Sequence, residues 1–144
     1  MTEDKRRKIL IVDDDKFLLD MYVIKFKENG FDVDAASGSV NALSKLKEGV
    51  SYDAILLDIV MPTMDGFELL EGIKKENLSG EAKLIILSNL GQPSDIEKGT
   101  ALGADGYIVK ASATPSEVVE KVREIIGNSK NETVNINLST SRQE

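Results

Sequence analysis

The chain has 144 residues, 41% of them apolar and 30% charged, which suits one domain with a real core. Its net charge of −7 argues against direct contact with nucleic acid phosphates. Cysteine and histidine are both absent, so disulfides, thiolate chemistry and the commonest general base are excluded, and any reaction must run on carboxylates, hydroxyls and lysines.

Residues 1–7, which lead into the basic run Lys5-Arg6-Arg7-Lys8, read as a solvated polar lead-in. They lack the apolar region of a signal peptide, and no apolar run approaches the roughly 20 residues of a membrane span. A cytoplasmic protein with no membrane insertion is expected. Ile9-Leu10-Ile11-Val12 is a continuous apolar run, the pattern of a strand buried on both faces. Phe17, Met21, Ile24 and Glu28 then mark a helical period, with Leu18 and Tyr22 beside it. Asn29-Gly30 ends that helix. Phe31, Val33 and Ala35 alternate as in a shorter, edge-like strand. Val40, Leu43 and Leu46 suggest a second helix, ended by Gly49.

Ala54-Ile55-Leu56-Leu57 is the next buried strand, and Phe67, Leu70 and Ile73 carry the next helix. Leu84-Ile85-Ile86-Leu87 is a fourth strand. Ile96 to Leu102 reads as a weak, short fourth helix closed by Gly103, and Tyr107-Ile108-Val109 as a brief fifth strand. Thr114-Pro115-Ser116-Glu117 has the capping-box pattern with proline at the first helical position. Val118, Val119, Val122, Ile125 and Ile126 give the fifth helix its apolar face. Such alternation predicts a flavodoxin-like (βα)5 α/β fold: a doubly wound sheet of five parallel strands in order 2-1-3-4-5, with helices on both faces. The domain is expected to span 8–127. Residues 128–144 are polar, and the alternation of Val134, Ile136 and Leu138 leaves two readings, a disordered tail or an extra edge strand.

In this fold, ligands gather at the carboxyl ends of the strands. Asp13, Asp14 and Asp15 follow the first strand, Asp58 the third, Ser88 the fourth and Lys110 the fifth. Each alone is usually a loop or turn residue; their joint placement at one edge is what points to chemistry. Three carboxylates in one cleft repel unless offset, and a hard divalent cation such as Mg²⁺, or Mn²⁺ in its place, suits all-oxygen ligands. Asp15 stands where a helix N-cap belongs, which leaves Asp13 and Asp14 for the metal. A carboxylate beside such a cation can attack phosphorus, and a hydroxyl and a lysine supply the charge stabilisation that phosphoryl transfer needs.

The stretches ILIVDDD, LLDIVMPTMDG, IILSN and GYIVK resemble the receiver domain of two-component response regulators, chemotaxis-regulator-like and single-domain, over residues 8–127. The resemblance implies that Asp58 is the phosphoacceptor. Asp13, Asp14, Asp58 and the Val60 backbone carbonyl would hold Mg²⁺. Ser88 and Lys110 would bind the phosphoryl group, and Tyr107 would be an aromatic switch residue that turns inward as Ser88 is drawn to the phosphate. Met61-Pro62 and Asp65-Gly66 look like the family's loop into the third helix.

The implied partners are a sensor histidine kinase or histidine phosphotransfer protein as donor, and a downstream effector on the face of the fourth helix, fifth strand and fifth helix. A homodimer through that face or through the C-terminal arm is a further expectation. Such a domain is a signalling switch, not an enzyme, catalysing only its own phosphorylation and dephosphorylation. No output domain is expected after it. Departures from the family pattern are Ala111, where proline in a cis bond is usual, and Asn89, which narrows the phosphoryl entrance. Val60 and Leu90, both apolar, flank the site and are expected to impede attacking water. The Lys110–Ala111 bond is expected to be trans. Rival readings are a degenerate receiver that binds without phosphorylation and a small aspartate-nucleophile phosphohydrolase.

Overall fold

The computed structural model describes residues 6–127. Strands β1 (Lys8–Val12), β2 (Asp32–Ala36), β3 (Ala54–Leu57), β4 (Lys83–Ser88) and β5 (Gly106–Val109) alternate with helices α1 (Lys16–Glu28), α2 (Ser39–Leu46), α3 (Gly66–Lys75), α4 (Pro93–Ala101) and α5 (Pro115–Gly127). The strands are parallel and lie in the order β2-β1-β3-β4-β5, as expected from the alternation of runs. The alternating residue 128–144 segment lies outside the described residues.

Successive side chains of a strand point to opposite faces, so each central strand feeds two cores. Leu10, Val12, Ile55, Leu57, Leu84, Ile86 and Tyr107 pack with Leu69, Leu70 and Ile73 of α3. Ile9, Ile11, Leu56, Ile85, Leu87 and Ile108 pack on the other face with Leu19, Tyr22 and Phe26 of α1 and Val118, Val119, Val122 and Ile125 of α5. β3 is buried at every residue, which explains its uninterrupted apolar run.

Two helical faces differ from the periodicity. In α1 the buried stripe is Leu19, Tyr22 and Phe26, while Phe17 and Ile24 stand in solvent at 79% and 58% exposure. The segment KFLLDMYVIKF is apolar on more than one side, so its period marks a helix without selecting the face. Contact does the selecting: Phe26 meets Phe31 edge to face at 5.1 Å. In α2, Leu46 is buried as expected, but Val40 is exposed. Small Ser39 and Ala42 take the sheet side instead, allowing the helix to approach closely.

The starts of α1 and α5 follow the sequence signals, whereas α4 begins at Pro93, three residues before the expected Ile96. Asp15 caps α1, its side chain accepting from the Leu18 N–H at 3.2 Å. Thr114 and Glu117 exchange the capping-box bonds at the start of α5, at 2.9 and 3.1 Å. None of the described peptide bonds is cis, so Lys110–Ala111 is trans, as expected.

Candidate functional site at the carboxyl edge of the sheet

Parallel register brings distant residues level. Val12 pairs with Leu57, and Asp58 N donates to Val12 O at 3.0 Å, so Asp13 and Asp58 leave adjacent strands side by side. Ser88 pairs with Val109, which places Lys110 one step beyond the hydroxyl. The Lys110 ammonium sits 2.7 Å from Asp13 Oδ2 and 3.5 Å from Asp58 Oδ2. Three chain segments thus meet through one cation.

The remaining bonds fix the carboxylates. Asp13 Oδ1 accepts from the Asp15 N–H at 2.9 Å, and Asp58 Oδ1 from its neighbour Ile59 N–H at 2.7 Å. Asp13, Asp58 and Ser88 are the buried acids and hydroxyl of this edge, whereas Asp14 is exposed at its rim. Burial pushes the Asp13 carboxyl up, and the Lys110 bond and Asp15 N–H offset this only in part. Burial alone would lower Lys110, but the bond to Asp13 and the charge of Asp58 outweigh it, so its pKa rises.

The expected three-carboxylate cleft is therefore organised differently. Among the described residues no group of three acidic side chains is gathered tightly enough to form a ready cation cage. Lys110 supplies the countercharge between Asp13 and Asp58, and Asp14 waits at the mouth. The donor set still fits a hard cation: it is all oxygen, carboxylate-rich and open on the Asp14 side.

Ser88 Oγ is fully buried and accepts from the Leu90 N–H at 3.4 Å. Asn89 is exposed beside it. Val60, at 63% exposure, and Leu90, at 36%, form apolar parts of the rim. The Tyr107 ring lies inward at 2% exposure, and its hydroxyl donates to the Leu90 carbonyl. Burial pushes its phenol up to about 12.

Three features were hidden from the sequence. Gly66 opens α3 so close to the end of β3 that a Cβ there would collide with the Asp58 carbonyl oxygen. Its N–H donates to Ile59 O at 2.8 Å. The Asp-Gly pair was visible, but not what the missing side chain spares. Thr63 has φ 73, with Met64 N donating to Pro62 O at 2.7 Å across it. This is a tight turn that a β-branched residue adopts only under strain. Finally, the exposed Phe17 stands at the start of α1, two residues after Asp15.

The response regulator receiver domain model matches residues 9–123. The chain is 32% identical over 121 residues to the chemotaxis protein CheY of Halobacterium salinarum, covering 83% of this chain and 97% of that one. It is 33% identical over 129 residues to a transcriptional regulatory protein CpxR homolog of Haemophilus influenzae, covering 90% of this chain but 54% of that protein. The chain spans about half the length of several curated relatives it matches. Among solved structures, the Francisella response regulator 1452 receiver domain superposes with a TM-score of 0.75 at 33% identity, covering 84% of this chain and 97% of that one. The CheY-like receiver domain protein of Methanospirillum hungatei does so at 0.75 and 32%, covering 85% and 94%.

Proposed function

Because the chain belongs to the response regulator receiver domain family, we propose that it is a phosphorylation-dependent signalling switch in which Asp58 accepts a phosphoryl group from a phosphohistidine. The observation that carries this reading is the convergence of Asp13 and Asp58 on the Lys110 ammonium at 2.7 and 3.5 Å. In the transfer, the phosphorus–nitrogen bond of the donor breaks as a bond forms from an Asp58 carboxylate oxygen to phosphorus. With no histidine in this chain, the phosphohistidine lies on a sensor kinase or phosphotransfer protein.

Each residue has a task matched to its position. The Ile59 N–H fixes the Asp58 carboxylate plane. Lys110 is poised to stabilise the charge that develops on the phosphoryl oxygens. Asp13, Asp14, Asp58 and the Val60 carbonyl would hold Mg²⁺, which when bound neutralises phosphate charge and orients the oxygens. Ser88 would turn from the Leu90 N–H to the new acceptor, loosening the loop that carries the Leu90 carbonyl and the Tyr107 hydroxyl bond. The α4–β5–α5 surface would then change shape for an effector. Phe17, Val60 and Leu90, each two residues along the chain from Asp15, Asp58 and Ser88 respectively, are exposed apolar side chains. Phe17 suits docking of the donor, and Val60 and Leu90 hinder water from attacking the phosphoryl group.

Intact mass after incubation with acetyl phosphate and Mg²⁺ tests the reading. One added phosphoryl group is expected, absent with EDTA and absent in Asp58→Asn. A time course with Val60→Asn should show a shorter-lived adduct. No adduct with acetyl phosphate or with any phosphohistidine donor would instead favour a receiver that signals by binding alone.

A further inference from the structure

Tyr107 and Val109 occupy alternate positions of β5 and so present one face to the segment that runs from β4 into α4. That segment meets them with glycines. A Cβ at Gly99 would lie 2.6 Å from Ile86 Cδ1 and 3.2 and 3.3 Å from two carbons of the Tyr107 ring. A Cβ at Gly91 would lie 3.0 and 3.1 Å from the two Val109 methyls. Gly99 is also the one buried residue of α4, with Ile96 half-buried beside it. The helix is thus seated by bare backbone at its contact with the switch tyrosine.

We propose that Gly91 and Gly99 are positioning residues of the switch: by letting the β4–α4 segment lie flush on the Tyr107 and Val109 side chains, they hold the Tyr107 ring inward and set the balance between alternative placements of α4. This rests on the phosphoacceptor reading above and adds the element that biases it. Glycine inside a helix is otherwise a poor choice, since alanine orders the backbone more readily. At Gly99 the gain from a methyl is opposed by contact. Ile86 is itself fully buried and has little room to retreat, so the displacement passes to the ring or to α4. At Gly91 the neighbours must give by only a few tenths of an ångström, and the effect is smaller. A ring already inward lowers what the phosphoryl group must supply to reach the same arrangement, so loosening the seat weakens coupling between site and surface.

The test uses the full chain carrying fluorotyrosine, with the Tyr107 ¹⁹F resonance assigned by its loss in Tyr107→Phe. Beryllofluoride with Mg²⁺ serves as the phosphoryl mimic. In Gly99→Ala the Tyr107 resonance should move toward that of a solvated ring, and beryllofluoride affinity should fall about fivefold or more. Gly91→Ala should do the same to a smaller degree. Gly72→Ala in α3, where a Cβ meets nothing within 4 Å, should move neither. Adding Ile86→Val to Gly99→Ala removes the atom nearest the new methyl and should return the resonance inward. An unmoved resonance in Gly99→Ala, a moved resonance with unchanged affinity, or an equal shift in Gly72→Ala would each overturn the proposal. If the unsubstituted protein bound no beryllofluoride, the phosphoacceptor reading would fall, while the resonance would still decide whether the glycines seat the ring.

Discussion

α3 and α4 leave adjacent strands and lie on the same face of the sheet, yet they are held in opposite ways. α3 begins with a complete capping box, Asp65 and Glu68 exchanging bonds at 2.9 Å, and buries Gly66, Phe67, Leu69, Leu70 and Ile73. α4 buries Gly99 alone. A Lys98 ammonium over the Phe67 ring, 4.6 Å from its centre, ties α4 to its neighbour, a contact worth about 0.5–1 kcal/mol at an exposed site. The contrast separates the two: α3 is anchored by buried side chains beside the backbone of Asp58, whereas α4, with one buried residue, is the more easily displaced. Mobile functional elements come from the least anchored parts of a fold.

The largest expected effect lies where α3 meets the backbone of Asp58. Gly66→Ala would drive a methyl into the Asp58 carbonyl oxygen and to 2.7 Å from Ile59 Cα. Both are backbone atoms and cannot swing aside. Destabilisation of about 3 kcal/mol or more is expected. Urea unfolding measures it, and a variant as stable as the parent would mean that α3 is not the rigid partner. The next effect compares matched truncations. Leu70→Ala empties a fully buried site and should cost about 2–5 kcal/mol. Ile96→Ala, half-buried on α4, should cost under about 1.5 kcal/mol. Similar midpoints for the two would erase the distinction.

The same contrast explains what could be read in advance. Strand order, the two cores and the edge that collects Asp13, Asp58, Ser88 and Lys110 follow from buried runs alternating with helices, because parallel strands with right-handed crossovers admit few arrangements. Asp15 as cap and Thr114 with Glu117 as capping box were legible because the signal is local. The buried face of α1 was not, because Phe17, Met21 and Ile24 are as apolar as Leu19, Tyr22 and Phe26 and only docking selects between them. Nor was the Lys110 bridge between Asp13 and Asp58, since a side chain's choice of partner depends on distances that spacing does not encode. Close approach at Gly66 and Gly99 is invisible for a related reason: a glycine says that a side chain is missing, not what would have struck it.

Alkali probes α4 from beneath. The protein has three tyrosines and no tryptophan. Burial raises the phenols of Tyr22, Tyr52 and Tyr107 above the ordinary 10.0, with Asp34, which accepts the Tyr52 hydroxyl at 2.7 Å, adding to the rise at Tyr52. A raised folded-state pKa means that folding favours the neutral phenol. The stabilisation is therefore intact below pH 10 and is lost as pH climbs through the folded values, about 12 for Tyr107. Each phenol should ionise at higher pH in the native protein than in urea. Because α4 is the lightly held cover, the Tyr107 tyrosinate, identified by its loss in Tyr107→Phe, should appear with helical circular dichroism still native. A single step in which ionisation and unfolding coincide would show α4 to be as firmly fixed as α3.

The smallest effect is the most discriminating, because it sets two chemically identical changes against each other. Gly72 and Gly99 are both helical glycines, one in α3 and one in α4. A methyl at Gly72 enters open space, and one at Gly99 meets Ile86 and Tyr107. Backbone entropy favours alanine over glycine by up to about 1 kcal/mol in each helix. Gly72→Ala should therefore stabilise by roughly that amount, raising the urea midpoint with an unchanged slope. At Gly99 the same gain is offset or exceeded by overpacking, for which about 1–3 kcal/mol is typical. Opposite signs at the two sites would show that propensity governs where contact is absent and that contact overrides it where a helix lies flush on the sheet. Equal stabilisation at both would mean that α4 rises off Tyr107 at almost no cost, making it looser still than its single buried residue implies.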